Sequence, residues 1–286
     1  ERMIRSFSDQ WLNLQGLSKV TPSLKLYPLY DDLLNHYFPV ETRKYLQHLV
    51  QENLPARNLI DSDFTFLNQR LARHYGIEGV TGQNMRKVNF SDEVPRGGLL
   101  TMGSVLKVTT DGFDTSPILR GAWISKNIVG TPLSPPPESV PALEPEHGEA
   151  KTLKEQIDQH KSNKTCYACH KSIDPYGFAL ESYKIKQAHR STFQYSPKGY
   201  FKIGAPVDAS GEMGADKFEN IFGLKRVLVS NEWKIAYNFA KKFFEYARGE
   251  KPNLEQRLYL WDFLGKAEEN VRLKNIVTEV LIKTLN

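Results

Sequence analysis

Both cysteines of the chain lie in one pentapeptide, Cys166-Tyr167-Ala168-Cys169-His170. Two cysteines scattered at random would fall three positions apart roughly once in 140 sequences, and a histidine directly behind them makes coincidence rarer still, so the spacing reads as chemistry. On one helical turn, residues three apart share a face. Each thiol can then add across one vinyl group of a haem, and the next residue carries its imidazole beneath the ring toward iron. Cys-x-x-Cys-His is the attachment pattern of a c-type haem, with the histidine as proximal ligand. The sequence therefore predicts one covalent haem c, held by Cys166, Cys169 and His170. A dithiol redox site needs a surrounding βαβ pattern that is not found, and a structural zinc needs four ligands where no second cysteine pair exists. A disulfide across two residues would be strained and would leave the histidine as a coincidence.

This chemistry carries a location with it. Haem is joined to protein thiols outside the bacterial cytoplasm, so the mature protein is expected to be exported, periplasmic or extracellular. Both thiols are then consumed, and stability must come from packing alone. The 286 residues are 40% hydrophobic and 25% charged, the composition of a globular protein with ample length for a core. No apolar run approaches the roughly 18 residues of a membrane span. The N-terminus, Glu1-Arg2-Met3-Ile4, has neither a start methionine nor the order of a signal peptide, which suggests a processed product or a fragment. The net charge of +5 is spread along the chain with no nucleic-acid module, so it reads first as a solvated basic surface and does not choose between an acidic protein, an anionic polysaccharide and nucleic acid as partner.

The elements that must present the pentapeptide follow from periodicity. Ile4, Phe7, Trp11 and Leu14 recur at helical spacing, an amphipathic run covers Glu41 to Asn53, and a third covers Asp63 to Tyr75 behind Asp61-Ser62-Asp63 as caps. Arg96-Gly97-Gly98 marks a turn, and Leu99 to Leu106 reads equally as a short helix or a buried strand. Thr131 to Pro137 reads as an extended proline-rich linker. A capping box, Thr152-x-x-Glu155, opens a helix to about Lys161, and the helix bearing the pentapeptide is expected to begin near Asn163 to Thr165. Ala188 to Gly214 suggests hairpins or loops. From Phe218 the chain is helical again, with Ile235, Phe239, Phe243 and Tyr246 as a core stripe that ends at Gly249 and Pro252. The expected fold is mainly α: a helical N-terminal region (1–112) packed on a cytochrome c-like haem module (113–212, with its linker at 131–141), then a helical C-terminal region (213–286).

Several motifs occur together and in order: Asp63-Phe64-Thr65-Phe66-Leu67-Asn68, Leu71-Ala72-Arg73-His74-Tyr75-Gly76, Arg96-Gly97-Gly98-Leu99-Leu100, Thr115-Ser116-Pro117-x-x-Arg120-Gly121, the proline run, and Asp174-Pro175-x-Gly177-Phe178-Ala179-Leu180-Glu181. Over nearly its whole length the chain resembles the C-terminal region of large planctomycete-type cytochrome c proteins, built from consecutive domains of unknown function. The resemblance implies an exported haem protein whose relatives carry further N-terminal domains; it implies no reaction. The chain departs from the pattern at Ser182-Tyr183-Lys184, where relatives tend to have Asn-Phe-Asp.

The sixth iron position separates an electron carrier from an enzyme. Met102 is the first candidate, because Gly97, Gly98, Gly103 and Ser104 would let the backbone approach a porphyrin face, and because the resemblance implies a Met or His in this slot. A plain core methionine is the alternative. Met213, in a turn-rich segment 43 residues after His170, is the runner-up, and His160 follows as a neighbour of a propionate or carbonyl. Arg120 fits either a haem propionate or a structural pairing with an acid such as Asp114. The leading expectation is a mono-haem cytochrome passing single electrons by outer-sphere transfer to a redox partner: a separate protein, a larger complex or the missing N-terminal part. The rivals are a haem-dependent oxidoreductase or peroxidase-like enzyme on an extracellular substrate, and a cytochrome subunit of a larger redox assembly.

Overall fold

The computed structural model describes residues 2–25, 27–91, 94–110, 112, 115–131, 133, 153–160, 164–183, 192–195, 202–266 and 271–285, with backbone alone at 153, 156, 159, 160, 164–166, 168, 192–195, 202–205 and 285. The proline run other than Thr131 and Leu133, Thr152 of the capping box, Asp114 and Lys184 lie outside the described residues. The chain is mainly helical, as its periodicity predicts. No helix among the described residues is long and apolar enough to cross a membrane.

Helix α1 (Arg2–Trp11) buries Ile4, Phe7 and Trp11, the stripe expected from spacing. That stripe meets α9 (Glu232–Arg248), where Phe7 stands edge-on to Phe239 and Phe243 at 5.5 and 5.1 Å between ring centres. Gly249 ends α9 in the left-handed region at φ 75°, where a side chain is strained and glycine is not. Helix α2 (Asp32–Gln51) begins well before Glu41, capped by the Asp31 carboxylate, which accepts from the Leu34 N–H at 2.8 Å. Pro39 inside it hid the first half from pattern reading, since proline ordinarily breaks a helix interior.

The segment expected as one helix over Asp63 to Tyr75 divides. Phe64–Leu67 forms strand β1, antiparallel to β2 (Arg86–Asn89) with Phe64 opposite Asn89, and only Gln69–Tyr75 is helix α3. Aromatic and β-branched side chains at Phe64, Thr65 and Phe66 favour the pleated surface. Asn68 then starts the helix by accepting from the Leu71 N–H at 3.0 Å. The ambiguous stretch after the Arg96-Gly97-Gly98 turn resolves as a 3₁₀ turn (Leu99–Thr101) followed by α4 (Gly103–Val108).

Two helices frame the pentapeptide. Helix α5 (Pro117–Ile124) crosses α7 (Lys164–Ala179) with main chain against main chain. A Cβ at Gly121 would come within 2.0 Å of the Ile173 carbonyl oxygen, and one at Gly177 within 1.9 Å of the Pro117 carbonyl oxygen. Before α7 lies α6 (Leu153–His160), and after it come β3 (Thr192–Tyr195) paired with β4 (Lys202–Pro206) and the hairpin β5 (Gly211–Met213) with β6 (Asp216–Phe218). Helices α8 (Ile221–Val229), α10 (Leu254–Gly265) and α11 (Leu273–Leu285) complete the fold. One apolar core runs from Ile4 through Met102, Tyr176 and Leu180 to Val280, so the three expected regions share their interior. A smaller core of Tyr27, Leu34, Phe38, Leu67, Leu71, Ala72 and Tyr75 lies under α2 and α3.

Candidate functional site

The pentapeptide occupies the first turns of α7, whose start at Lys164 falls in the expected window. The helix puts Cys166 and Cys169 one turn apart and His170 directly after. The Cys169 thiol is free and half-buried, Tyr167 is exposed and His170 is buried. One turn on, Asp174, 2% exposed, places a carboxylate oxygen 2.9 Å from Nδ1 of His170. Pro175 follows immediately and removes the N–H that would bond the Lys171 carbonyl.

His170 opens onto a cleft of about 650 Å³, within the size range of small-molecule and cofactor sites. Its walls are α7 (His170, Asp174, Phe178), α6 (Lys154, Asp158) and the β5–β6 hairpin (Met213, Phe218). The hairpin is seated by Gly211, where a Cβ would come within 3.2 Å of the Pro175 Cα and 2.6 Å of the Phe218 ring. Helix α6 is tied in by Lys154, whose ammonium reaches Asp208 at 3.0 Å and the Ser210 carbonyl at 3.0 Å. Burial pushes the Asp208 carboxyl up, but hydrogen bonds from Ser210 and the Lys154 charge outweigh it and hold the group below the usual range. Among the described residues, no three histidine, cysteine or carboxylate side chains converge as a metal cage.

Residues 1–77 match a family model described as PSD4, protein of unknown function (DUF1592), and residues 96–192 match one described as PSCyt3, protein of unknown function (DUF1588). The chain carries a DUF1592 domain and a DUF1588 domain. Both are planctomycete-type, cytochrome c-associated domains. No curated protein and no solved structure matched the chain. The DUF1588 match contains the pentapeptide and both motifs of the α5–α7 crossing, while the Met213 hairpin lies beyond its end.

Within the DUF1588 domain, Met102 and His170 are set apart. Met102 is buried just before α4, its sulfur accepts from the Thr42 hydroxyl at 3.4 Å, and it does not line the His170 cleft. The neighbouring glycines serve contacts other than a porphyrin face. Gly103 admits the Phe38 ring, which an added Cβ would meet at 2.2 Å, while Gly97 and Gly98 lie on the Ser62 and Ile60 carbonyls. Gly97, Gly98 and Gly103 make room for protein in this structure. Met213 is the methionine that the structure brings to the cleft of His170. His160 ends α6, and its side chain lies outside the described residues.

Arg120 lies against the C-terminal end of α7. It is fully enclosed, and its Nη1 donates to the Leu180 carbonyl at 2.8 Å and to Glu181 at 3.3 Å. Among the described residues its partner acid is Glu181, which also accepts from the Thr115 hydroxyl at 2.7 Å. A cation at the C-terminal end of α7 complements the helix dipole and the last carbonyls. Beside Met102, the DUF1592 domain buries Glu41, whose carboxylate accepts from Thr65 at 2.8 Å and from the Tyr75 hydroxyl at 2.5 Å. Burial pushes the Glu41 carboxyl up to about 7, against the opposing pull of those bonds and of Arg96.

Sequence reasoning assigned Asp174 no part, although the motif containing it was in view. The signal was its position four residues after His170, a spacing that brings side chains together on a helix. Glu181 was likewise visible only as part of a motif.

Proposed function

We propose that this chain is a mono-haem c-type cytochrome that transfers single electrons to a protein partner outside the cytoplasm. The observation that carries the reading is the Cys-x-x-Cys-His pentapeptide on the first turns of α7, with His170 braced by Asp174 at the wall of a cofactor-sized cleft. A bound haem supplies an iron that cycles between two oxidation states. Cys166 and Cys169 would anchor it, and His170, with Nδ1 turned to Asp174, would offer Nε2 to the metal. Met213 is the better candidate for the second axial ligand, because it shares the cleft and Met102 does not. Lys171 and Lys217 on the same cleft balance the charge of propionates. The basic surface draws in an acidic redox partner, a separate protein or further domains of a longer chain.

The second reading is an enzyme with an exchangeable sixth position, and one feature favours it. Met213 sits at the end of a three-residue strand and is only half-buried, a support that gives way more readily than a helix.

Spectra of protein made with a working cytochrome c maturation system separate the two. A carrier shows a low-spin spectrum indifferent to cyanide and the weak far-red band of Met–iron coordination, which Met213→Ala abolishes and Met102→Ala preserves. A high-spin spectrum that shifts on adding cyanide favours the enzyme. Protein without covalent haem rejects both.

A further inference from the structure

The contact between His170 and Asp174 carries an inference that rests on the haem reading and sharpens it. Nδ1 of the ring and Oδ1 of the carboxylate are 2.9 Å apart, and both residues are buried. Asp174 has little freedom to move. The backbone on one side of it, at Ile173, is in contact with Gly121, and the backbone just beyond, at Gly177, is in contact with Pro117. Pro175 between them fixes its own φ and lies against Gly211. The main chain that carries Asp174 is thus held on two sides, and its carboxylate stands at the distance of a charge-assisted hydrogen bond from the ring.

We propose that Asp174 is the positioning residue of the iron site, and that its negative charge sets the reduction potential through His170. By accepting the Nδ1 proton, the carboxylate selects the tautomer whose Nε2 faces the metal and fixes the ring plane. A full negative charge on that hydrogen bond also raises the electron density of the imidazole above what a neutral acceptor gives. A more basic ligand stabilises the ferric state over the ferrous state, so Asp174 lowers the potential. The cleft also carries Lys154, Asp158, Lys171, Glu212, Lys217 and Glu219, and a substitution at Asp174 alone removes none of these charges.

The test compares the haem-loaded parent with Asp174→Asn and Asp174→Glu by redox titration and thermal melting. Asparagine keeps the shape and an acceptor oxygen while removing the charge, and the midpoint potential is expected to move to more positive values. Glutamate retains the charge and is expected to stay closer to the parent. A potential unchanged in the asparagine variant, with only the melting temperature lowered, overturns the proposal and leaves the haem reading intact. A parent that acquires no covalent haem overturns both. If the asparagine variant does not fold, proton NMR of the ferrous parent decides. A His170 Nδ1 proton far downfield of one bonded to a carbonyl supports the proposal, and one at the carbonyl-bonded position overturns it.

Discussion

Gly121 in α5 rests on the carbonyl oxygen of Ile173 in α7, at a separation that leaves no room for a methyl group. Three residues before that carbonyl stands His170. The reciprocal contact, Gly177 on the Pro117 carbonyl, closes the crossing from the other side.

Replacing either glycine by alanine must push two backbones apart. Gly121→Ala and Gly177→Ala are each expected to cost about 1–3 kcal/mol or more, read as a lower urea midpoint. Gly265→Ala is the control. It has open space around its position in α10 and is expected to be neutral or to stabilise by about 0.5–1 kcal/mol.

The two methionines should separate cleanly in stability. Met102→Ala empties a site that is 2% exposed and is expected to cost about 2–5 kcal/mol. Met213→Ala, in a half-buried hairpin, is expected to cost less than about 1 kcal/mol in protein lacking haem. Equal losses in chemical denaturation would contradict the placement of Met102 in the core.

Arg120 and Glu181 form an enclosed ion pair, so removing either charge leaves the opposite one buried without it. Arg120→Met and Glu181→Gln are each expected to destabilise by about 3–5 kcal/mol. The double variant is expected to lose less than the sum of the two, which a double-mutant cycle measures.

Glu41 makes stability depend on pH. Its folded-state carboxyl is raised to about 7 from an ordinary 4.5, so the folded chain holds a proton that the unfolded chain releases between those values. The stabilisation from this group is fully present below about 4.5 and is lost as pH rises through about 7. Glu41→Gln mimics the protonated carboxyl. It is expected to matter little at low pH and to gain on the order of 2 kcal/mol relative to the parent in alkaline buffer, as successive melts across the range will show. A gain that does not grow with pH would count against the burial of this charge.

The Cys-x-x-Cys-His pentapeptide was legible because the haem attachment we propose for it demands a fixed spacing, and a helix supplies that spacing locally. The Phe7–Trp11 and Phe239–Phe243 stripes were legible for the same reason: a single helix carries each signal. Strand β1 was not, since Phe64 to Leu67 finds its partner at Arg86 to Asn89, and pairing across such a gap leaves little mark on local periodicity. The glycines around Met102 announced a close approach correctly, but a sequence does not say to what. In this structure the Phe38 ring lies against Gly103. Asp174 needed only the four-residue interval from His170, and its burial beside the ring emerges from the α5–α7 crossing, a contact between segments about fifty residues apart.

The continuous interior from Ile4 to Val280 sets the grain of this molecule. Sequence families divide the chain into successive stretches, yet Tyr176 and Leu180, on the helix that bears the pentapeptide, belong to the same core as the first helix and the last. The inherited unit and the folding unit therefore differ. A fragment cut out at residues 113–212 would leave that side of the helix facing water, because the core it shares extends into the first helix and the last.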